Sequence, residues 1–295
     1  MTVPNTIGGI AVVRLLKTLV RRLWNLYVRL LSTLVRGMTL AGKVAIRELL
    51  ERESIGCLDY RKKILVCVDS RSVLARLNSC KKEPETVKWI ETSFHEHDVF
   101  YDIGANIGAY SLVASNFLEG KIRVYAFEPG MTTYPVLCKN IIINGFERSI
   151  IPLNVALSAQ SGAENFKYRN LSAGAAEHKG LIVENLATSQ FIDEEVFTQW
   201  MPVFRLDDFV RGFRIEKPTH IKIDCDGFEY PVLSGAEQTL ESKSVQSVQV
   251  EIDERSEAAE KTVKLMLSHS YYIDKKNRHG NSSIYDYIFR RTVSR

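Results

Sequence analysis

Asp102, Gly104 and Gly108 sit in the stretch "VFYDIGANIGAYSL" (residues 99–112), where a carboxylate ends an apolar run and two glycines four apart follow it. Glycines so placed let backbone N–H groups approach a ligand closely, because no Cβ stands in the way. A second apolar run, "VYAF", ends in Glu128, 24 residues beyond Gly104. An acid at the end of a second strand suits the two hydroxyls of a ribose. A nicotinamide dinucleotide calls for GxGxxG, whose third glycine eases helix packing against a pyrophosphate. Here the order is DxGxxxG, and the acid precedes the loop. That acid repels a pyrophosphate but suits the ammonium of a methionine tail on a nucleoside.

A third group of polar residues lies in "IKIDCDGFE", where Asp224 ends the apolar run and Asp226 and Glu229 follow within a turn. Transfer of a group to a hydroxyl needs alignment and a route for the acceptor's proton. Crowded carboxylates supply such a route as a base with a raised pKa, or hold a divalent cation that acidifies the hydroxyl. The alternative is structural: Asp226, followed by Gly227 and Glu229, reads as a helix N-cap. Glu251 and Asp253, ending the next apolar run, are secondary candidates for the same edge. "RLDDF" (205–209) reads as local packing and capping, and no nearby Cys or third His completes a site with His95 and His97.

The elements that must position these residues alternate from about residue 98. "VFYDIG", "IRVYAFEP", "IIPLNVAL", "HIKIDCD" and "VQSVQVEI" read as strands; "AYSLVASNFL", "TYPVLCKNIIING", "EYPVLSGAEQTL" and "SEAAEKTVKLMLSH" read as helices. "YYIDKK" and "SIYDYIFRR" close the chain as two further strands. Such alternation makes a parallel sheet covered on both faces, with ligands bound beyond the carboxyl ends of its strands. Residues 158–218 are less regular, with "ENFKYR" as a strand and an acidic "FIDEEVF", and are expected to cover the active site. Upstream, 60–69 reads as a strand, and "KKEPETVKWIETSF" as a short amphipathic helix with Pro84 in its first turn.

The front of the chain differs in charge. Its first 47 residues hold eight basic side chains and no acid, leaving 31 basic residues against 35 acids elsewhere. The basic balance therefore belongs to one segment and does not imply nucleic-acid binding. At about 100° per residue, Arg14, Lys17, Arg21, Arg22, Arg29 and Arg36 fall within an arc of roughly 140°, with apolar side chains opposite. Six cations would cost about 2.5–3.5 kcal/mol each near a bilayer centre, which argues against a span. An amphipathic helix over residues 10–36, lying on an anionic membrane surface, is the expectation, with docking on the domain or a second subunit as its rival. Five scattered cysteines without CxxC spacing fit reduced thiols in a cytoplasmic protein.

Taken together, "VFYDIGANIGAYSL", "VYAFEPG", "NVALS", "RLDDF" and "IKIDCDGFEYPVLSGA" resemble the FkbM-type methyltransferases, which use S-adenosylmethionine. The resemblance runs from about Glu83 to Glu251. It implies the doubly wound, Rossmann-like methyltransferase fold, an α/β sheet of seven strands with the last antiparallel, and methylation of hydroxyls on sugars, glycans or other small natural products. It further implies that Asp102, Gly104, Asn106 and Gly108 line the methionine portion, that Glu128 holds the ribose, and that Asn154 and Ala156 lie near the adenine. Asp224, Asp226 and Glu229 fall on the family's acidic motif, although relatives often carry Glu where this chain has Asp226. A divalent metal at those acids is a variant of the same reading. The expected organisation is a basic helical extension (1–50), a lead-in strand and helix (51–97) and the cofactor-binding domain (98–295). Two rivals are an NAD(P)-dependent oxidoreductase, disfavoured by the missing third glycine, and a membrane-surface adaptor without turnover. The adaptor would need neither the cofactor loop nor the downstream acids.

Overall fold

The computed structural model describes residues 7–168, 171–174 and 197–292, with side chains from residue 17 onward. The chain divides into two compact units, Met1–Glu53 and Ser54–Arg295. The first holds two helices, α1 (Ile7–Gly37) and α2 (Leu40–Glu53). Among the described residues no helix is long and apolar enough to cross a membrane.

The second unit opens with an antiparallel pair, β1 (Ile55–Cys57) and β2 (Leu65–Cys67), so only the centre of the expected strand 60–69 is extended. Three short helices follow, α3 (Arg71–Arg76), α4 (Ser79–Lys82) and α5 (Pro84–Ser93), the last starting at Pro84 as its missing N–H allows. Trp89 of α5 stands among polar residues in sequence but is buried. Its Nε1 donates to Ser247 Oγ at 2.9 Å. Then come β3 (Val99–Ile103), α6 (Ala109–Phe117), β4 (Arg123–Phe127), α7 (Tyr134–Ile143), β5 (Ile150–Leu153), β6 (Ala156–Leu157), β7 (Gly162–Tyr168) and β8 (Phe197–Phe204). The rest are α8 (Leu206–Phe213), β9 (His220–Ile223), α9 (Glu229–Ser234), α10 (Glu237–Glu241), β10 (Ser247–Asp253), α11 (Ala258–Ser268), β11 (Tyr271–Arg278) and β12 (Ile284–Arg291).

The main sheet has seven strands in the order β11-β12-β10-β9-β3-β4-β5. β10, β9, β3, β4 and β5 pair in parallel, and the last strand, β12, is antiparallel to β10 and to β11. Every residue of β3 and of β9 is buried, as befits central strands covered on both faces. One apolar cluster joins Trp89 and Ile90 of α5 to Leu112 of α6 and Leu137 of α7. A second joins Leu206, Phe209, Leu233 and Met266. From β3 the chain winds outward to β4 and β5, then returns to β9 on the other side. That reversal opens a crevice at the carboxyl ends of β3, β4 and β9.

Two expected elements divide. "IIPLNVAL" becomes β5 in the main sheet and β6 in a three-stranded sheet ordered β6-β8-β7. Asn154 stands between them, its Nδ2 donating to Glu128 O at 2.9 Å and Pro129 O at 3.1 Å. "EYPVLSGAEQTL" breaks into α9 and α10 at Gly235, where a Cβ would come within 2.2 Å of Ser158 O. Asp207 accepts from Gln238 N, Thr239 N and Thr239 Oγ1, so the "RLDDF" acid caps a helix some thirty residues away rather than locally. Residues 191–196 of "FIDEEVF" lie outside the described residues, while Phe197 begins β8.

Candidate active site

The crevice is a cleft reached by residues from the ends of all three strands. Gly104 N and Ala105 N donate to Phe127 O at 3.0 and 2.9 Å, which ties the glycine loop to the end of β4. Asn106 has φ +51 and turns its own N–H to Glu128 Oε2 at 2.8 Å, while Gly130 N donates to Oε1 at 2.7 Å. Each carboxylate oxygen keeps a second acceptor site. Burial pushes Glu128 up to about 7, against those two N–H donors and with Asp226 adding to the rise. Val155, Ala156 and Phe166 supply an apolar wall beyond Glu128.

Gly104, Asn106, Glu128 and Ala156 thus line the cleft, together with Asp224 and Asp226. Asp102, Gly108, Asn154 and Glu229 lie outside that lining. Asp102 is 1% exposed, and its Oδ2 accepts from Ser111 N at 3.1 Å and Ser111 Oγ at 2.6 Å. Helix α6 is capped by Gly108, which has no side chain, so Asp102 supplies the acceptor that the first turn lacks. Burial raises its pKa, with Lys222 pulling the other way. Gly108, at φ +86, shapes the turn, and Leu137 Cδ1 would lie 2.5 Å from a Cβ there.

At the end of β9 the acids divide into distinct roles. Lys222, 2% exposed, donates to Asp224 Oδ2 at 2.7 Å and lies 4.9 Å from the centre of the Tyr110 ring. Burial works against the Lys222 charge, but Asp224, Glu83 and Asp102 outweigh it and hold its pKa above the ordinary value. Burial likewise opposes ionisation of Asp224, and the Lys222 ammonium overcomes it to hold that carboxyl below its usual range. Glu229 Oε1 accepts from Cys225 N at 3.0 Å and Gly227 N at 3.1 Å, clamping the loop. Burial pushes it up to about 7. Asp226 is exposed at φ +50, and the residue at the N-cap of α9 is Phe228, not Asp226, the structural alternative.

Three basic residues here escaped the sequence reading. Arg76 and Lys82 line the cleft from α3 and α4, and Lys222 stands behind Asp224. Lys222 did leave a signal: a lysine inside an apolar strand needs a partner, and residue i+2 lies on the same face. Arg76 and Lys82 left none, because the short helices that deliver them carry no periodic pattern long enough to place. Glu251, a secondary candidate, also lines the cleft; burial pushes it up to about 9, with Asp224 the next cause.

The family described as "Methyltransferase FkbM domain" matches residues 102–273, more than half of the chain. The chain belongs to the FkbM methyltransferase family. Its seven-stranded sheet with an antiparallel last strand is the Rossmann-like methyltransferase fold. A similar curated protein is the hexuronic acid methyltransferase AglP of Haloferax volcanii, 29% identical over 183 residues, 62% of this chain and 68% of that one. Another is the methyltransferase sdnD of Sordaria araneosa, 27% identical over 155 residues, 46% of this chain and 60% of that one. Among solved structures, the methyltransferase FkbM of Methylobacillus flagellatus aligns with a TM-score of 0.48 and 17% identity. That alignment covers 74% of this FkbM chain and 52% of the other, so this chain spans about half of that structure.

Proposed function

We propose that this FkbM methyltransferase moves the methyl group of S-adenosylmethionine onto a hydroxyl oxygen of a sugar or glycan. The observation that carries the reading is the convergence on one cleft of Glu128 from β4 and the acids of the β9 loop. The residues present fit the cofactor: Glu128 keeps acceptor sites for two ribose hydroxyls, and Val155, Ala156 and Phe166 offer a flat base an apolar wall. When bound, S-adenosylmethionine supplies an electrophilic methyl group on a sulfonium. Asp226 receives the proton of the acceptor hydroxyl, Glu229 fixes the loop that carries Asp226, and the Lys222–Asp224 pair anchors its start. Arg76 and Lys82 provide positive charge for an anionic acceptor, in keeping with the hexuronic acid methyltransferase among its relatives. A screen of uronic-acid, neutral-sugar and lipid-linked hydroxyls with labelled cofactor is expected to return transfer to a sugar oxygen. Absence of S-adenosylmethionine binding by calorimetry overturns the assignment.

Cofactor affinity should depend on pH in a defined direction. Ribose hydroxyls donate to a carboxylate, so binding favours the ionised Glu128. With its pKa at about 7, that form is scarce below neutrality. Affinity is therefore expected to rise as pH increases toward 7, by up to about tenfold per pH unit, and to level off above it. Glu128→Gln should flatten the profile and weaken binding by about 1–3 kcal/mol. Calorimetry from pH 5.5 to 8.5 on both proteins checks this, and a flat wild-type profile removes Glu128 from the ribose.

We also propose that α1 rests on an anionic membrane. Leu19, Leu23, Trp24, Leu30 and Leu34 are exposed on a helix that carries Lys17, Arg21, Arg22, Arg29 and Arg36. Large exposed apolar surface beside cations suits a negatively charged interface. The full chain should float with vesicles containing anionic lipid, and less so as salt rises. Arg21→Glu with Arg22→Glu and Arg29→Glu should abolish that flotation. Equal flotation of the triple variant assigns the helix to a protein contact instead.

A further inference from the structure

Outside the β9 loop, one cluster has the chemistry of a metal site. Glu83, Glu251 and His279 each offer a ligand atom, and these atoms lie within 4.8 Å of one another. Donors about 2.0–2.2 Å from a metal stand about 3–4 Å apart, so modest side-chain rotation closes the gap. His279 Nδ1 is 3.4 Å from Glu251 Oε2, and its Nε2 is 2.7 Å from Asp286 Oδ2. That is the arrangement of a ligating imidazole, one nitrogen facing the ion and the other donating to an outer carboxylate that orients the ring.

A second observation points to an ion independently. The Glu83 side chain is 4% exposed, and its Oε2 is buried with no hydrogen-bond partner among the described residues. Its Oε1 accepts from Lys82 at 3.2 Å, but that lysine is more than half exposed and tethers only one oxygen. A buried carboxylate oxygen without a donor is costly unless a cation meets it. The nearby buried ammonium, Lys222, is directed to Asp224 instead.

We propose that Glu83, Glu251 and His279 bind a divalent transition-metal ion of the Mn²⁺ or Zn²⁺ class, with Asp286 as the positioning residue. Two carboxylate oxygens and an imidazole nitrogen suit these borderline ions better than Mg²⁺ or Ca²⁺, which favour all-oxygen shells. Glu251 also lines the cleft, so the ion stands in the cleft wall. Glu83 and His279 fall outside the residues matched by the family. The inference does not depend on the methyl-transfer reading.

The test is metal binding by the full chain after dialysis against a chelator. Calorimetry with Zn²⁺ and paramagnetic resonance with Mn²⁺ are expected to show one saturable site. Pulsed resonance of bound Mn²⁺ should show nitrogen coupling from the imidazole. His279→Gln is expected to abolish that coupling and raise the dissociation constant at least tenfold, and Asp286→Asn to raise it about 10–100-fold. Asp226→Asn should leave Mn²⁺ binding unchanged. Bound Mn²⁺ without nitrogen coupling in the wild-type protein, or no saturable binding of either ion, overturns the proposal without reference to any variant's folding.

Discussion

Gly104→Ala is expected to lower cofactor affinity at least 10²-fold and to lower the unfolding temperature. Gly104 has φ +80, and a Cβ built there stands 1.8 Å from the backbone oxygen of Asp224. No rotamer relieves that collision, because the obstacle is main chain at the end of the neighbouring strand. β3 and β9 pair in register up to Ile103 and Ile223, and Asp224 N donates to Ile103 O at 3.0 Å. Restoring contact distance must therefore separate these central strands where they frame the cleft. A displacement of about 1 Å at a reacting site can cost about 10²-fold. Left-handed backbone at Ala adds about 1–2 kcal/mol, and forced packing about 1–3 kcal/mol. Gly120→Ala distinguishes the two effects: Gly120 has φ +77 but nothing within 4 Å of its Cβ position. It should lose about 1–2 kcal/mol of stability and keep full affinity. Calorimetry and thermal unfolding of both variants decide the matter. Wild-type affinity in Gly104→Ala would mean that the glycine loop does not bound the cofactor.

The same contact explains how much of the site was legible in the sequence. A central strand is a short apolar run, and its polar terminus marks the ligand edge, so Gly104, Glu128, Asp224 and Asp226 could be placed from pattern alone. Asp102 could not, because its position at a strand end fits both a cofactor contact and the cap of the next helix. Only the two bonds to Ser111 reveal the cap. The split after β5 was hidden because "IIPLNVAL" stays apolar across Asn154, whose side-chain bonds to Glu128 O and Pro129 O are made by folding. Arg76 and Lys82 reach the cleft through tertiary packing of short helices, which leaves no periodic trace. The lead-in residues thus contribute to the cleft wall.

Asp226→Asn is expected to reduce turnover by about 10²–10⁴-fold while cofactor affinity holds or improves. The substitution suits the local backbone. Asp226 sits at φ +50, a left-handed conformation that Asn adopts as readily as Asp. The loop is held by Glu229 on Cys225 N and Gly227 N, and α9 begins from Phe228, so the Asp226 charge is not needed for either. Asp224→Asn lacks that clarity. It would strip the counter-charge from Lys222, a buried ammonium 2.7 Å away, at a cost of about 3–5 kcal/mol in stability. Its loss of rate would then mix unfolding with chemistry. Lys222 also holds Asp224 below its usual pKa, which makes it a weak base. Affinity supplies the distinguishing sign. Asp226 helps to raise the pKa of Glu128, so its neutralisation lets Glu128 ionise more readily. Below pH 7 the Asn variant should therefore bind S-adenosylmethionine at least as tightly as the wild type while transferring its methyl group far more slowly. A damaged fold would weaken both together. Single-turnover rates with the sugar acceptor, measured beside calorimetry at pH 6.5, test the two signs at once. Full rate in Asp226→Asn would move the proton acceptor to Asp224.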